Sequence, residues 1–383
     1  MKKITGAILF YLRRTDHTIW LACFALSGLS IVLLFGLLDT GHATLLQIGG
    51  RNIFVQAISV LIGVCGAVVL SLIDYKDLSK LWKLYVPLSY ALLILTFFIG
   101  VGTPERPDDR RWLIVPGLDV SLQPAELLRV AFILAFAYHI YKVHQRINHP
   151  LHLAGLLAHG AVPVILVHFQ GDAGSALVFA VIVVCMLFGA GLSWKYVIGA
   201  TAVLGVSLPL AWNVVMNDMH RQRISAMLDV SARDIQGNFF QQHRAITAFA
   251  FGGSGGRGVF GPEHIYVPEM HNDFIFSFLG ESLGLVGCLL AIAVMFILWF
   301  KILRCAGKAK DILGYMICMG VFAMLSFQAI INIGMNIGIL PVIGNTLPFI
   351  SYGGSSVLTS YLGVGLVLSV AMYSEKSMFG QEE

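Results

Sequence analysis

The chain has 383 residues, of which 57% are hydrophobic and 12% are charged, and its formal net charge at pH 7 is +4. Soluble domains carry roughly 25% charged residues, so the composition excludes an ordinary soluble protein and predicts a multi-pass membrane protein. The small positive charge gives no reason to expect nucleic acid as a partner. The six cysteines have no metal-ligand spacing, which predicts neither a disulfide framework nor a zinc site.

Apolar stretches of membrane length follow one another along the whole chain. They predict an all-α polytopic fold, with residues 1–383 forming a single membrane domain of about ten spans. The basic residues before the first stretch indicate a signal anchor that is retained as a span. The predicted spans are 17–38, 53–73, 81–101, 123–142, 151–169, 173–191, 194–213, 272–300, 312–334 and 356–374.

Lysine and arginine are distributed differently over this topology. With both termini in the cytoplasm, all 11 lysines fall in inner segments, as the positive-inside rule requires. The predicted outer segments contain arginine but no lysine. Those arginines are Arg51, Arg106, Arg110, Arg111, Arg221, Arg223, Arg233, Arg244 and Arg257.

The outer arginines have two interpretations. They could snorkel at the membrane interface, or they could bind an anionic ligand such as a pyrophosphate, which suits the planar fork of the guanidinium group. The absence of lysine among them favours the anion. Arg111, Arg244 and Arg257 stand beside the most unusual motifs and are therefore candidate substrate-binding residues.

The longest predicted loop, 214–271, lies outside the membrane between spans seven and eight. MHRQRISAMLDVSA and FFQQHRAITAFAF, both within this loop, have roughly helical spacing and predict short amphipathic helices in the outer interface. The glycine-rich stretch GGSGGRGVFG lacks the strand and the Gly-Lys-Ser/Thr of a nucleotide-binding loop. It could present backbone N–H groups and Arg257 to an anion, or it could be a plain hinge.

Three further outer segments carry unusual residues. Glu126 and Arg129 are spaced to form an ion pair on one helical face, which could serve insertion alone or the site. Asp172, in HFQGDAGSALV, is either a helix N-cap or a functional carboxylate. The segment NIGILPVIGNTLPFISYGGSS (336–356) is apolar but rich in Pro and Gly, so it predicts irregular backbone that lines a cavity or packs across the bundle.

The stretch VPEMHNDFIFSF places Asp273 where an apolar span begins, with Glu269 and His271 close by. Asp273 could be an N-terminal cap, although the neighbouring Asn272 could cap equally well. The face that continues from Asp273 through Ser277, Gly280 and Gly284 would allow either close packing or an open cavity.

These motifs resemble the SEDS family (shape, elongation, division and sporulation), the RodA/FtsW/SpoVE-like proteins. The resemblance rests on RRWL…SLQPAEL, QGDAGSALV, GGSGGRGVFGPEHIYVPEMHNDFIFSFLGESLGLVG and NIGMNIGILPVIGNTLPFISYGGSS, and it covers most of the chain. Departures from the family pattern include Gly171, Ala173, Arg129, Arg257 and Thr346. The two arginines replace lysines, which are not equivalent ligands.

The resemblance implies a peptidoglycan glycosyltransferase of the bacterial cytoplasmic (inner) membrane that polymerises lipid II. It implies Asp273 as the catalytic base of an inverting transfer, Asp172 as a second functional aspartate, and Glu126, Glu269 and His271 as groups that bind or position substrate. Expected partners are lipid II, a class B penicillin-binding protein and other elongation, division or sporulation machinery. No cofactor is required by the sequence, although a divalent cation, Mg²⁺ or Mn²⁺, is an option; no metal ligands are assigned.

Two other classes compete with the polymerase. A lipid II flippase or another polytopic transporter would also use many spans and intramembrane carboxylates. Internal repeats, which are typical of transporters, are not evident, and the polar residues crowd one face. A scaffold that only recruits a transpeptidase would leave the outer acidic residues and arginines without a purpose.

Overall fold

The computed structural model describes residues 11–102, 109–115, 120–214, 239–261 and 263–374, together with positions 221 and 225. The described chain is mostly helical. Its helices are α1 (His17–Asp39), α2 (Gly50–Leu72), α3 (Tyr75–Lys80), α4 (Trp82–Ile99), α5 (Pro124–Val143), α6 (Pro150–Phe169), α7 (Ala173–Gly189), α8 (Trp194–Val214), α9 (Phe240–Gly252), α10 (Ile275–Gly307), α11 (Ile312–Asn336) and α12 (Gly354–Ser374), with a 3₁₀ turn at His144–Arg146.

Eight of the described helices are long and apolar enough to cross a membrane, namely α1, α2, α4, α5, α6, α10, α11 and α12. Helix α7 is apolar but has 17 residues. Each predicted span coincides with one of these helices or with α8. The prediction of an all-α polytopic membrane protein is confirmed, whereas the number of spans stays a prediction.

Several helices begin at an aspartate that caps them. Asp16 accepts hydrogen bonds from the backbone of Thr18 and Ile19 at 2.9 and 3.3 Å, and Asp311 accepts from Gly314 N at 2.9 Å. Such caps satisfy N–H groups that have no partner in the first helical turn. The rest of each helix is almost entirely apolar. The capping aspartates therefore mark the residues at which these helices enter the bundle.

Helix α11 lies at the centre of the bundle and packs against α5, α7, α10 and α12, while α12 lies along α2. Small residues allow these close approaches. A methyl group at Gly320 of α11 would lie 2.7 Å from Ile133 of α5 and 2.9 Å from the sulfur of Met186 of α7. The core therefore depends on backbones that approach closely, and not on large side chains alone.

Two short strands, β1 (Leu113–Val115) and β2 (Val120–Leu122), form an antiparallel hairpin just before α5. A bridge between Val101 and Trp112 extends this pairing back to the end of α4. The hairpin fixes the entry to α5 and places the segment that carries Arg111 beside the bundle end.

The two ends of the bundle carry different polar contacts. At one end Lys301 pairs with Asp16, and Lys76 pairs with Asp311, each at 2.9 Å. At the other end lie the start of α10, the end of α11 and the start of α12, with His42 reaching the carbonyl of His264 at 2.7 Å. We call this second end the aspartate end, because it holds Asp172 and Asp273.

Candidate active site at the aspartate end

Three irregular segments meet at the aspartate end: the turn at 268–274 before α10, the segment 337–353 between α11 and α12, and the turn at 170–172 between α6 and α7. The absence of regular structure between Asn336 and Gly354 agrees with the prediction made from its Pro and Gly content. Strongly apolar but irregular, this segment lies across the end of the bundle.

Hydrogen bonds to successive carbonyl groups hold the 268–274 turn. The carbonyl of Glu269, a residue in the left-handed region with φ +55°, accepts from the N–H groups of Asn272 and Phe274 at 3.0 and 3.1 Å. The carbonyl of His271 accepts from Tyr352 N at 2.9 Å, and that of Asn272 accepts from the Ser351 hydroxyl at 2.7 Å. The turn is therefore fixed onto the 337–353 segment.

Asp273 is part of this turn and does not begin the helix, contrary to the predicted start of span eight. Helix α10 begins at Ile275 and its N-cap is Phe274. Asp273 therefore precedes the N-cap position. The backbone carbonyl of Asp273 accepts from the side-chain amides of Asn332 and Asn336 at 2.9 and 3.0 Å.

Gly344 links the two aspartate-bearing turns. With φ +72°, it lies where a methyl group would come within 3.3 Å of Oδ2 of Asp273. Its carbonyl oxygen lies 2.8 Å from the position that a methyl group on Gly174 would take. Asp273 and the turn that carries Asp172 thus approach the 343–344 backbone from two sides.

Asp172 is the N-cap of α7, as one of the two sequence interpretations expected. Its Oδ1 accepts from Ser175 N at 2.9 Å, and its Oδ2 accepts from the Ser175 hydroxyl and from Gln123 Nε2, both at 2.7 Å. Asp172 is buried. Both oxygens have partners within the protein, so Asp172 is held more tightly than a base that must exchange protons with substrate requires.

Glu126 and Arg129 form the ion pair that their spacing predicted. Nη1 of Arg129 is 2.7 Å from Glu126 Oε2, and both side chains are buried. Nη2 of Arg129 donates to the Ser175 hydroxyl at 2.7 Å, which connects the pair to Asp172. In this geometry the carboxylate of Glu126 is held by Arg129, and the assignment of Glu126 as a substrate-binding residue stays a prediction.

Arg111 lies against the turn that carries Asp172. Its Nη2 donates to the carbonyl of Gly171 at 2.6 Å and pairs with Asp109. Asp109 also lies where a side chain at Gly171 would project. Of the three candidate arginines, Arg111 is the one in direct contact with an aspartate-bearing turn.

The other two candidate arginines, Arg244 and Arg257, contact segments outside the aspartate-bearing turns. Nε of Arg244 donates to the carbonyl of Tyr266 at 2.7 Å. Arg257 faces Glu263 at 3.3 Å and lies over the ring of Phe251 at 5.6 Å. Glu263 is largely exposed, so this pair is weak, and a stronger anion could displace Glu263.

Several backbone N–H groups of the glycine-rich loop, which was interpreted either as an anion-binding loop or as a hinge, have partners inside the protein. The N–H groups of Arg257 and Gly258 donate to the carbonyls of Glu281 and Ser282 at 3.0 and 2.9 Å. That of Gly256 donates to the carbonyl of Gly252 at 2.9 Å. These three donors already have partners, so they are not available to an anion, and anion binding by the rest of the loop stays a prediction.

The loop instead completes a break in α10. At Gly284, with φ +66° and ψ −168°, the helix is interrupted. The N–H groups of Leu285 and Val286 then donate to the loop carbonyls of Gly253 and Ser254 at 2.9 and 3.2 Å. Satisfying these backbone groups is necessary at membrane depth. The small residues on this face serve close packing, since Gly280 also lies against the ring of Phe249.

Of the two predicted amphipathic helices, the first (219–232) falls largely outside the described residues. The second is present as α9, but it does not simply lie in the interface. It packs against α10 and α11, and its Gln242 donates to the carbonyls of Met335 and Leu340, both at 2.7 Å. Helix α9 thus supports the aspartate end.

His271 lies beside the ring of Tyr352, with 5.7 Å between ring centroids. Burial lowers its pKa from 6.5 to about 4, so the ring is neutral at pH 7. A neutral imidazole can orient substrate but does not supply positive charge to a pyrophosphate. The carbonyl of Glu269 has a structural role in the turn, and the predicted role of its side chain stays a prediction.

Three side chains here were not singled out from the sequence. Asn332 and Asn336 are fully buried, and two amides four residues apart in an apolar span were a usable signal. Glu281 is also fully buried, and its Oε1 accepts from Ile265 N at 3.0 Å. The sequence did not reveal Glu281 because its partner lies in the preceding loop and not in the same helix.

Within the described part of the chain, no group of three or more His, Cys, Asp or Glu side chains could hold a metal ion. The carboxylate oxygens of Asp172 are already occupied by Gln123 and Ser175.

The comparisons with known proteins agree with this architecture. A family model described as a cell cycle protein, FtsW/RodA/SpoVE, matches residues 16–376. The probable peptidoglycan glycosyltransferase FtsW of Trichlorobacter lovleyi is 34% identical over 372 residues, which cover 94% of each chain. The peptidoglycan glycosyltransferase MrdB of Escherichia coli K12 is 34% identical over 297 residues, which cover 76% of this chain and 79% of that one.

Solved structures share the fold. A chain from a study of polymerization and crosslinking by a peptidoglycan synthase complex matches with a TM-score of 0.79 and 26% identity, covering 94% of this chain and 99% of that one. The rod shape determining protein RodA of Thermus thermophilus, as a mutant, matches with a TM-score of 0.68 and 25% identity, covering 93% and 97%. The family model matches residues 16–376, which is nearly the whole chain, and the helices lie at the predicted positions. The chain therefore belongs to the FtsW/RodA/SpoVE family of cell cycle proteins.

Proposed function

We propose that this protein is a peptidoglycan glycosyltransferase that polymerises lipid II, with Asp273 as the general base. The observation that carries the proposal is the placement of Asp273. It is a carboxylate in a non-helical turn that is fixed by backbone hydrogen bonds and lies before the N-cap of α10. Relatives that are named peptidoglycan glycosyltransferases support the reaction class.

The proposed step is a single inverting displacement. The oxygen of an acceptor sugar hydroxyl forms a bond to the donor anomeric carbon, and the bond from that carbon to the lipid pyrophosphate breaks. The hydroxyl proton passes to the Asp273 carboxylate, since a sugar hydroxyl is a weak nucleophile without a base. Because the donor linkage is α and the product linkage is β, no covalent glycosyl-enzyme is needed.

The departing pyrophosphate accumulates negative charge, which fixed donors stabilise. Arg111, beside the Asp172 turn, is the best-placed candidate. Arg244 and Arg257 would bind further along the substrate, with Arg257 released from Glu263. A Mg²⁺ or Mn²⁺ ion bound to the pyrophosphate would add to this stabilisation, and the proposed step does not depend on it.

The location of the site follows from the charge distribution. We propose ten spans with both termini in the cytoplasm, which puts the aspartate end at the outer face of the bacterial cytoplasmic membrane. The lysine ion pairs of Lys76 and Lys301 at the opposite end support this orientation. The long 214–271 loop then lies outside the membrane, where lipid-linked precursors are polymerised.

A class B penicillin-binding protein is the proposed partner. The similarity to a chain from a peptidoglycan synthase complex that coordinates polymerization with crosslinking supports this pairing. Crosslinking of new strands by a transpeptidase would follow polymerisation directly. The elongation, division and sporulation machineries are alternative settings for such a pair.

A lipid II flippase or another transporter is the competing function. Irregular backbone at 337–353 and buried carboxylates would suit it. However, the carboxylates of Asp172 and Glu126 are held by partners inside the protein, and the aspartates lie at one end of the bundle. A transporter needs a site that is reached from both sides.

The test uses the full chain in complex with its penicillin-binding protein, with purified lipid II in detergent and with or without Mg²⁺. The wild type should form glycan strands. Asp273→Asn keeps the shape of the side chain but removes its basicity, so it should fold and bind its partner yet lose at least ~100-fold in rate. Near wild-type polymerisation by Asp273→Asn would refute the assignment, and Asp172→Asn would then be measured next.

A further inference from the structure

A side chain from α11 bridges the turn that carries the proposed base and the first turn of α10. In a regular α-helix the carbonyl of residue 273 would accept from the N–H of residue 277. Here the amide of Asn336 occupies that position. Its Nδ2 donates to the carbonyl of Asp273 at 3.0 Å, and its Oδ1 accepts from Ser277 N at 2.9 Å. One amide therefore contacts both groups that would form that helical bond, while Ser277 N also donates to the carbonyl of Phe274 at 3.0 Å.

Asn332 completes the arrangement from one turn earlier in α11. Its Nδ2 donates to the carbonyl of Asp273 at 2.9 Å and to that of Asn345 at 2.6 Å. The carbonyl of Asn332 accepts in turn from Asn336 Nδ2 at 2.8 Å. Asn345 follows Gly344, whose backbone borders the Asp273 carboxylate. The two amides thus join the base and the opposite wall of the site to one rigid helix.

We propose that Asn332 and Asn336 are positioning residues for the glycosyl transfer, because they keep Asp273 out of the helix and fix its distance from the 343–345 backbone. This inference rests on the proposed function of Asp273. Both asparagines are fully buried, and a buried amide is costly unless it is hydrogen-bonded. If α10 began four residues earlier, its own backbone would satisfy these groups and neither amide would be needed. The non-helical turn at Asp273 therefore explains why two amides are buried here.

A positioning role makes a distinct kinetic prediction. Misplacement of a catalytic group by about 1 Å can cost roughly 100-fold in rate, whereas substrate contacts elsewhere are unchanged. Asn336→Ala should therefore lower kcat by about 10- to 100-fold, with less than about a threefold change in KM for lipid II. Asn332→Ala leaves the Asn336 insertion in place and should lower kcat by a smaller factor, about three- to tenfold.

Asn336→Asp provides a second readout that simple destabilisation would not produce. The variant keeps an acceptor for Ser277 N but brings a second carboxylate next to Asp273. A nearby like charge raises the pKa of a carboxyl group. The acid limb of the kcat profile should therefore move to higher pH, by about one unit.

The matched control is Gln328→Met. Gln328 is on the same helix, two turns before Asn336, and is equally buried, but it has no bond to the Asp273 turn among the described contacts. The control should retain wild-type kcat and an unshifted pH profile. All variants are assayed as the complex with the penicillin-binding protein, after thermal unfolding has been measured for each one.

The outcomes separate this inference from the proposed function. Loss of activity in Asp273→Asn together with wild-type kcat in folded Asn336→Ala and Asn332→Ala would overturn the positioning role alone. If Asn336→Ala does not fold, Asn332→Ala and the pH profile of Asn336→Asp decide the question. An unshifted profile with unchanged kcat would count against the proposal. Full activity in Asp273→Asn would refute the proposed function regardless of the asparagines.

Discussion

Replacing Arg129 with methionine should destabilise the protein more than removing any exposed ion pair. The change leaves Glu126 buried without its partner, and it takes away a donor from Ser175, which binds Asp172. Removing one member of a buried pair costs about 3–5 kcal/mol, because the remaining charge is uncompensated. The unfolding free energy in detergent micelles measures this loss.

Lys80→Met is the matched control. Lys80 and Asp77 have the same i, i+3 spacing at 2.8 Å, but their side chains are 65% and 67% exposed. No measurable change is expected, because solvent screens exposed pairs and they contribute little. The double variant Glu126→Gln/Arg129→Met should recover most of the loss. Equal effects of Arg129→Met and Lys80→Met, or no recovery in the double variant, would refute the reasoning.

Two further predictions concern stability. Burial lowers the pKa of His271 from 6.5 to about 4 in the folded protein. The unfolding free energy should therefore be constant above pH 6.5 and fall as the pH drops toward 4, by about 2 kcal/mol at pH 5. Unfolding of the wild type and of His271→Phe across this pH range tests the prediction, and equal pH dependence of the two would contradict it. Gly284→Ala should lower the unfolding free energy by about 3 kcal/mol, because φ is +66° and the methyl group would lie 2.6 Å from the Ser254 carbonyl. The control is Gly28→Ala, which should be nearly neutral because nothing lies within 4 Å of the added methyl group.

The helical architecture was predictable because apolar length in a membrane protein is a strong local signal. Helices stand at the predicted positions even where QGDAGS was the only separation, since the sharp turn there is capped by Asp172. The ion pair of Glu126 and Arg129 followed from helical spacing alone. In each of these cases, residues close in sequence determine the outcome.

The site was predictable only in part. Asp273 stood out because a carboxylate beside an apolar span is unusual, but its surroundings come from residues about 60 positions away, such as Asn332 and Asn336. No local pattern reveals that an amide from another helix bridges this turn and α10. The role of the glycine-rich loop was obscured for the same reason, since its partners are the backbone groups around Gly284.

The contact between this loop and α10 determines where the chain tolerates insertion. Exposed glycine-rich loops are ordinary places for affinity tags or fluorescent domains, but tolerance depends on the hydrogen bonds of the backbone that is cut. Here the carbonyls of Gly253 and Ser254 serve amides inside a membrane helix. A tag placed between residues 253 and 258 would act as a core mutation, despite the exposure of the loop to solvent.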